Sequence, residues 1–154
     1  MDNTFDPAAC IASECDATRN FIDLLRCEQR VLEQADVFTL ASLTKEKTHQ
    51  VQQLAQLADA RNRWLVTLGY AGDRSGMESV LNDRPAASAL WKELLQLAET
   101  AVHLNKTNGV LIDQRLRYNQ QALTILQAAT QNSGLYGSDG QSRPFSRGRQ
   151  LGEG

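Results

Sequence analysis

Three cysteines and two histidines are the first side chains to consider as metal ligands or nucleophiles in this 154-residue chain. Cys10, Cys15 and Cys27 all lie near the N-terminus, without a CxxC pair and without a neighbouring histidine. Their odd number argues against a disulfide framework, and their spacing argues against a zinc site. His49 and His103 lie in polar helical contexts, with no cysteine or histidine at ligand spacing. We therefore predict reduced thiols, surface histidines and no metal.

The remaining patterns do not indicate an enzyme. The glycine-rich stretch 134–140 lacks the Lys-Ser/Thr pair and the following helix of a phosphate-binding loop. Acid pairs such as Glu14 and Asp16 are typical of solvated helix faces. We expect no catalytic residue and no cofactor.

Charge and hydropathy restrict the partners and the compartment. The net charge is −2 and the basic residues are scattered, so no nucleic-acid-binding surface is expected. The first residues, Met-Asp-Asn-Thr-Phe-Asp-Pro, contain no basic or apolar region of a secretion signal. No apolar run approaches the length of a membrane span. The sequence therefore predicts a soluble, cytoplasmic protein that does not insert directly into a membrane.

The dominant pattern runs from Pro85 to about Gln127. Apolar residues recur there with alternating spacings of four and three, which only an α-helix places on one face. The first row is Leu90, Leu94, Leu97, Ala101, Leu104, Asn108, Leu111, Arg115, Tyr118, Ala122 and Ile125. The second row, beside it, includes Leu95, Ala98, Val102, Ile112, Leu116, Leu123 and Leu126. Two adjacent rows suit a helix that packs against two neighbours.

Similar periodicity predicts two earlier helices, at about 10–35 and 38–69, before the long one at about 85–128. A single helix over the first two segments would be too long for the rest of the chain to cover. We therefore place a corner at Asp36-Val37-Phe38-Thr39, with Leu43-Thr44 as the alternative. Gly69 is expected to end the second helix. Ser75-Gly76-Met77-Glu78 has capping-box spacing and predicts a short helical turn through Leu81.

The expected fold class is all-α, an antiparallel three-helix bundle with long helices and a flexible C-terminal tail. The helical domain would span residues 1–129 and the tail residues 130–154. Six glycines and four serines in residues 131–154 leave little apolar surface to offset the entropy of ordering that segment.

Asn105, Asn108 and Gly109 interrupt the apolar pattern of the long helix. Asn-Gly can open a β-hairpin, but the helical pattern is in phase on both sides and favours a continuous helix. Asn108 occupies the first row, where a polar residue reduces stability but can fix register. Gly109 could permit the close approach of another backbone, or it could simply be accommodated.

The tail contains two further features. Leu135-Tyr136 stands alone among glycines, as a short docking motif or as a random apolar pair. Arg143, Arg147 and Arg149 surround Phe145 and give a weak indication of an acidic partner.

These residues resemble the FlgN family, cytoplasmic chaperones of flagellar type III export. The similarity covers about residues 20–142. In the first two helices it comprises Leu24-Leu25, Glu28, Leu32, Asp36, Leu40, Leu43, Lys47, Leu54, Leu57, Arg61 and Leu65. Its most specific elements are Leu104-Asn105-x-x-Asn108-Gly109-x-Leu111-Ile112, Gln120-Gln121-Ala122-Leu123 and Leu135-Tyr136-Gly137-x-Asp139-Gly140-Gln141. Gln50 and the loop after Gly69 depart from the family pattern.

The resemblance implies a helical chaperone for the two hook–filament junction proteins, which are hook-associated proteins. The family binds their C-terminal regions with its own C-terminal helical half and delivers them to the cytoplasmic domain of the flagellar export gate. The implied gate-docking residues are Leu135, Tyr136, Gly137, Asp139 and Gly140, with Tyr136 making the family's gate contact. No cofactor is implied.

Helix lengths suggest where a substrate would bind. The second helix is shorter than the long helix and should cover it only as far as about Asp113 to Arg117. Beyond that point an apolar stripe of the long helix is expected to be exposed. The predicted substrate-binding residues are Asn105, Asn108, Gly109, Ile112, Leu116, Leu123 and Leu126. The alternative is a structural coiled-coil or adaptor protein that self-associates through the same stripe.

Overall fold

A computed structural model describes residues 5–133, and within that range the chain is all-α, without strands, as predicted. The four helices are α1 (Pro7–Gln34), α2 (Val37–Thr67), α3 (Arg74–Val80) and α4 (Pro85–Ser133). The bounds of the three predicted long helices are thus correct to within a few residues, and α4 is about one turn longer than expected. None of these helices is long and apolar enough to span a bilayer.

The corner between α1 and α2 lies at the first of the two predicted positions. The Asp36 side chain accepts a hydrogen bond from the Thr39 backbone N–H at 3.1 Å and thereby caps α2. Ala35 ends α1 in the left-handed conformation, with a φ of 58°. The turn therefore forms without glycine, although a residue with a Cβ is strained there.

The prediction for the loop between α2 and α3 is correct at one position and wrong at another. Gly69 follows the last turn of α2 with a φ of 85°, as a C-terminal glycine should. The predicted capping box at Ser75 is wrong, because Asp73 caps α3 by accepting from the Gly76 N–H at 2.9 Å. A Cβ at position 76 would lie 1.8 Å from the Ala71 carbonyl oxygen, so this position requires glycine.

The chain divides into two compact units, Met1–Leu111 and Ile112–Gly154. Two apolar clusters form the core of the first unit and join α1 to α2, α3 and the first part of α4. The first contains Ile11, Cys15, Leu65, Met77, Val80, Leu81, Ala87, Trp91 and Leu94. The second contains Phe21, Ile22, Leu24, Leu25 and Ala101, with Leu43, Leu54, Leu97 and Leu104 packed against it.

Polar contacts between the helices fix their directions. The Arg61–Glu14 and Lys47–Glu28 ion pairs join α1 to α2, whose residue numbers change in opposite directions, so these helices are antiparallel. The Cys15 thiol donates to the Leu90 carbonyl, and the Asn108 amide donates to the Leu25 carbonyl. Because residue numbers rise together in α1 and α4, those two helices are parallel.

Helix α4 is continuous through Asn108-Gly109, so the β-hairpin alternative is wrong. A Cβ built at Gly109 meets no atom within 4 Å. The described chain therefore contains no close backbone approach that requires this glycine, and its cost relative to alanine is about 1 kcal/mol.

Replacing Ala35 by glycine should stabilise the protein by about 0.5–1 kcal/mol, because glycine adopts a positive φ without the Cβ strain. The measurement is the urea midpoint of unfolding. Ala41→Gly, at an exposed position inside α2, is the control and should destabilise by about 1 kcal/mol. A loss of stability in Ala35→Gly would contradict the strained turn.

Candidate functional site

A buried polar layer lies at the last fully buried position of α4. Asn108 is 0% exposed, and its amide nitrogen donates to the Leu25 carbonyl at 2.9 Å and to a Glu28 carboxylate oxygen at 2.8 Å. Lys47 of α2 donates to the same oxygen of Glu28 at 3.1 Å. One carboxylate thus joins three helices, which sets the register of α4 against the hairpin of α1 and α2.

This layer corrects one predicted binding residue. Asn108 cannot contact a substrate in this conformation, because its side chain is enclosed and its two N–H groups are already bonded. Asn105 is exposed and Gly109 is half-buried. Both lie in line with the second row, at heptad spacing before Ile112, whereas Asn108 belongs to the first row.

Beyond the polar layer, α4 exposes large apolar side chains. Ile112, Leu116, Leu123 and Leu126, all predicted binding residues, are between 41% and 62% exposed. Exposure begins earlier than the expected residues 113–117, since Val102 in the second row is already 68% exposed and Asn108 is the last fully buried residue in the described part of α4. Contiguous apolar surface of this kind usually marks a partner site, because isolated exposure is common but a row of leucines is not.

Two exposed residues of this surface were missing from the predicted site. Tyr118 and Ile125, in the first row, are 67% and 68% exposed. The periodicity had already placed both in an apolar row, so their row membership could have identified them. We call the six residues Ile112, Leu116, Tyr118, Leu123, Ile125 and Leu126 the α4 surface.

The sequence analysis also missed an apolar pair at the start of α2. Phe38 is 91% exposed and Val37 is 72% exposed, although both were expected only as part of a corner. No periodic signal distinguishes them, since they occupy the first turn of the helix.

A second candidate lies within the first unit, where Glu14, Arg61 and Trp91 meet. Arg61 Nε lies 3.3 Å from a Glu14 carboxylate oxygen, and its guanidinium lies 5.0 Å from the centre of the Trp91 ring. Burial raises the pKa of Glu14, and the charge of Arg61 partly opposes that rise. The ion pair and the cation–π contact join α1, α2 and α4.

An apolar groove of about 320 Å³ adjoins this cluster, between α2 and α4. Leu54 and Ala58 of α2 form one wall, and Leu95, Ala98 and Val102 of α4 form the other. No group of acidic, histidine and cysteine side chains in residues 5–133 is arranged to hold a metal ion. Glu14, Thr18 and Arg61 also line the groove, beside its apolar walls.

The predicted gate-docking residues Leu135, Tyr136, Gly137, Asp139 and Gly140 lie outside the described residues. Their role stays a prediction.

Comparison with known proteins identifies relatives over most of the chain. The profile of one family, described as FlgN protein, matches residues 1–144. The flagella synthesis protein FlgN of Proteus mirabilis is 29% identical over 136 residues, covering 83% of this chain and 84% of the relative. That of Yersinia enterocolitica is 32% identical over 114 residues, covering 73% and 72%. No solved structure matches the chain.

Asn108→Ala should destabilise the protein by about 2–3 kcal/mol, because Glu28 loses a buried hydrogen bond to its charged oxygen. Asn105→Ala is the matched control, since it makes the same change at an exposed position of the same helix and removes the helix-propensity difference from the comparison. Urea unfolding of both variants gives the difference. Equal stabilities would mean that the polar layer contributes nothing.

Proposed function

The chain belongs to the FlgN family of flagella synthesis proteins, and on that premise we propose that it is a cytoplasmic export chaperone. Its substrates would be the two hook–filament junction proteins, whose C-terminal regions it keeps unassembled. It would then deliver them to the cytoplasmic domain of the flagellar type III export gate. The role in flagellar assembly follows from family membership, and the substrates and the gate are the proposal.

The observation that supports a chaperone is the exposed α4 surface. An amphipathic segment binds such a surface by laying its own apolar face on residues spaced at i, i+3, i+4 and i+7. Leu123 follows Leu116 by seven residues and Leu126 follows Leu123 by three, so all three lie on one face of the helix. Covering them hides the apolar face of the substrate as well, which would prevent its premature assembly.

The first unit would act as the rigid support. We infer that α1, α2 and the first part of α4 form an antiparallel three-helix bundle, since ion pairs and hydrogen bonds join α1 to both other helices. Its core residues are buried without a partner, so substrate binding need not remodel them.

The alternative, a structural protein that self-associates through α4, uses the same apolar surface. Light scattering with and without the C-terminal segment of a junction protein separates the two. A stable oligomer that is indifferent to the segment would favour self-association.

Leu123→Ala should weaken binding of a junction protein's C-terminal segment at least several-fold, since burying one leucine contributes about 1.5–3 kcal/mol. Its melting temperature should barely change, because Leu123 is exposed in the free protein. Calorimetric titration measures the affinity. Thr124→Ala, at an exposed position on the polar face of the same turn, should leave binding unchanged.

Leu94→Ala is the opposite control. Leu94 is buried, so its replacement should lower the free energy of unfolding by about 2–5 kcal/mol. If Leu123→Ala instead behaves like Leu94→Ala and its folded fraction binds normally, the α4 surface is core and the substrate site lies elsewhere.

Tyr136→Ala should weaken binding to the cytoplasmic domain of the export gate while sparing stability and substrate binding, because the resemblance assigns the gate contact to this tyrosine. Phe145→Ala changes an aromatic residue outside the motif and serves as the matched control. Calorimetry with each partner measures both affinities. Equal loss of gate and substrate binding would show that the two functions are not separate.

A further inference from the structure

A glycine follows the buried Asn108, although nothing around it in the described chain requires one. A Cβ built at Gly109 meets no atom within 4 Å, and α4 continues through this position without a break. Alanine would fit there and is the better helix former. Packing therefore does not explain the pairing of a buried asparagine with a glycine.

Asparagine followed by glycine is a reactive pair, because glycine has no Cβ to shield its backbone nitrogen. That nitrogen loses its proton and attacks Cγ of the asparagine, so that a C–N bond forms and closes a succinimide ring. The side-chain nitrogen Nδ2 leaves as ammonia. Water then opens the ring on either side and gives aspartate or isoaspartate, so the reaction needs only the chain and water.

The structure keeps Asn108 unreactive in three ways. In a continuous helix the Gly109 N–H donates to the carbonyl four residues earlier, so the attacking nitrogen is already bonded. The departing nitrogen Nδ2 donates to the Leu25 carbonyl at 2.9 Å and to Glu28 at 2.8 Å. The side chain is fully buried, which excludes the water that completes the reaction. Deamidation therefore requires the polar layer to open and α4 to unwind locally.

The product of the reaction does not fit the polar layer. A carboxylate at position 108 has no N–H to donate to Leu25 or Glu28, and it places a second negative charge beside Glu28. The Lys47 ammonium, 3.1 Å from Glu28, would then face two carboxylates. Isoaspartate adds a carbon to the main chain and so interrupts the helix as well. One reaction thus makes an opening of the layer permanent.

We propose that Asn108-Gly109 is a deamidation site that the closed polar layer protects. Local opening of the layer exposes the pair, and its reaction with water prevents the layer from closing again. The bond therefore limits how long the register of α4 on α1 survives repeated opening. This inference concerns the chain alone and stands apart from the proposed function.

The test follows deamidation of the full chain in mildly alkaline buffer, with folded and urea-unfolded wild type as the two limits. Trypsin releases residues 107–115, in which Asn108 is the only asparagine, and mass spectrometry detects its conversion to an acid. Circular dichroism shows whether each variant is folded.

Two variants separate opening of the layer from unfolding of the whole chain. Glu28→Ala removes the charged acceptor of Asn108. Leu94→Ala removes a core side chain from the first apolar cluster and leaves the layer intact, so it is the matched control for lost stability. Lys47→Met loosens the layer more mildly and replaces Glu28→Ala if that variant unfolds.

We expect Asn108 to deamidate at least about tenfold faster in folded Glu28→Ala than in folded wild type, because a hydrogen bond to a charged acceptor no longer holds the amide. Lys47→Met should accelerate the reaction less. Leu94→Ala should change the rate little, since local opening does not require the distant cluster to unfold. Adding Gly109→Ala to Glu28→Ala should return the rate to near the wild-type value.

Asn108→Asp imitates the product and tests its effect on the fold. Its urea midpoint should lie below that of Asn108→Ala, because alanine removes the same hydrogen bonds without adding a charge beside Glu28. The inference is overturned if Leu94→Ala accelerates deamidation as much as the layer variants do. It is also overturned if folded wild type reacts as fast as unfolded wild type, or if Asn108→Asp is as stable as Asn108→Ala.

Discussion

The constraint on which this molecule depends is a mismatch of helix lengths. Helix α4 has 49 residues, while α1 has 28 and α2 has 31. At about 1.5 Å per residue, α4 exceeds either neighbour by roughly 30 Å. An apolar stripe that follows a heptad repeat throughout such a helix must be partly uncovered, so the mismatch itself leaves apolar surface exposed.

The polar layer determines where cover ends. Glu28 is 3% exposed and would be costly to bury alone, but Asn108 and Lys47 satisfy its carboxylate. Sliding α4 by one heptad along α1 would replace Asn108 by Ala101 in one direction, which leaves the carboxylate without this hydrogen bond, and by the longer, charged Arg115 in the other. The layer therefore contributes less to stability than an apolar one would, yet it favours a single register and so a single length of uncovered helix.

Periodicity and capping chemistry are local, and for that reason the sequence predicted the long helices and the Asp36 corner. The pairing of Glu28 with Asn108 joins residues far apart in the chain, and no spacing reveals it. The predicted cap of α3 was wrong because Asp73 and Ser75 both offer a capping oxygen, and the space around Gly76 decides between them. Asn108 was wrongly placed among binding residues, although the sequence analysis had already noted that a polar residue in the first row can fix register.

The exposed rows also explain how such a surface can avoid pairing with itself. Stable homodimeric coiled coils need leucine or isoleucine at nearly every position of the seam. Here the first row includes Arg115 and Ala122, and Asn119 lies in line with the second row between Leu116 and Leu123. Two identical copies would oppose small or polar residues at these positions and lose contact area. A partner that places large side chains opposite Ala122 and amides opposite Asn119 would not, so the same irregularities that weaken self-association favour a different chain.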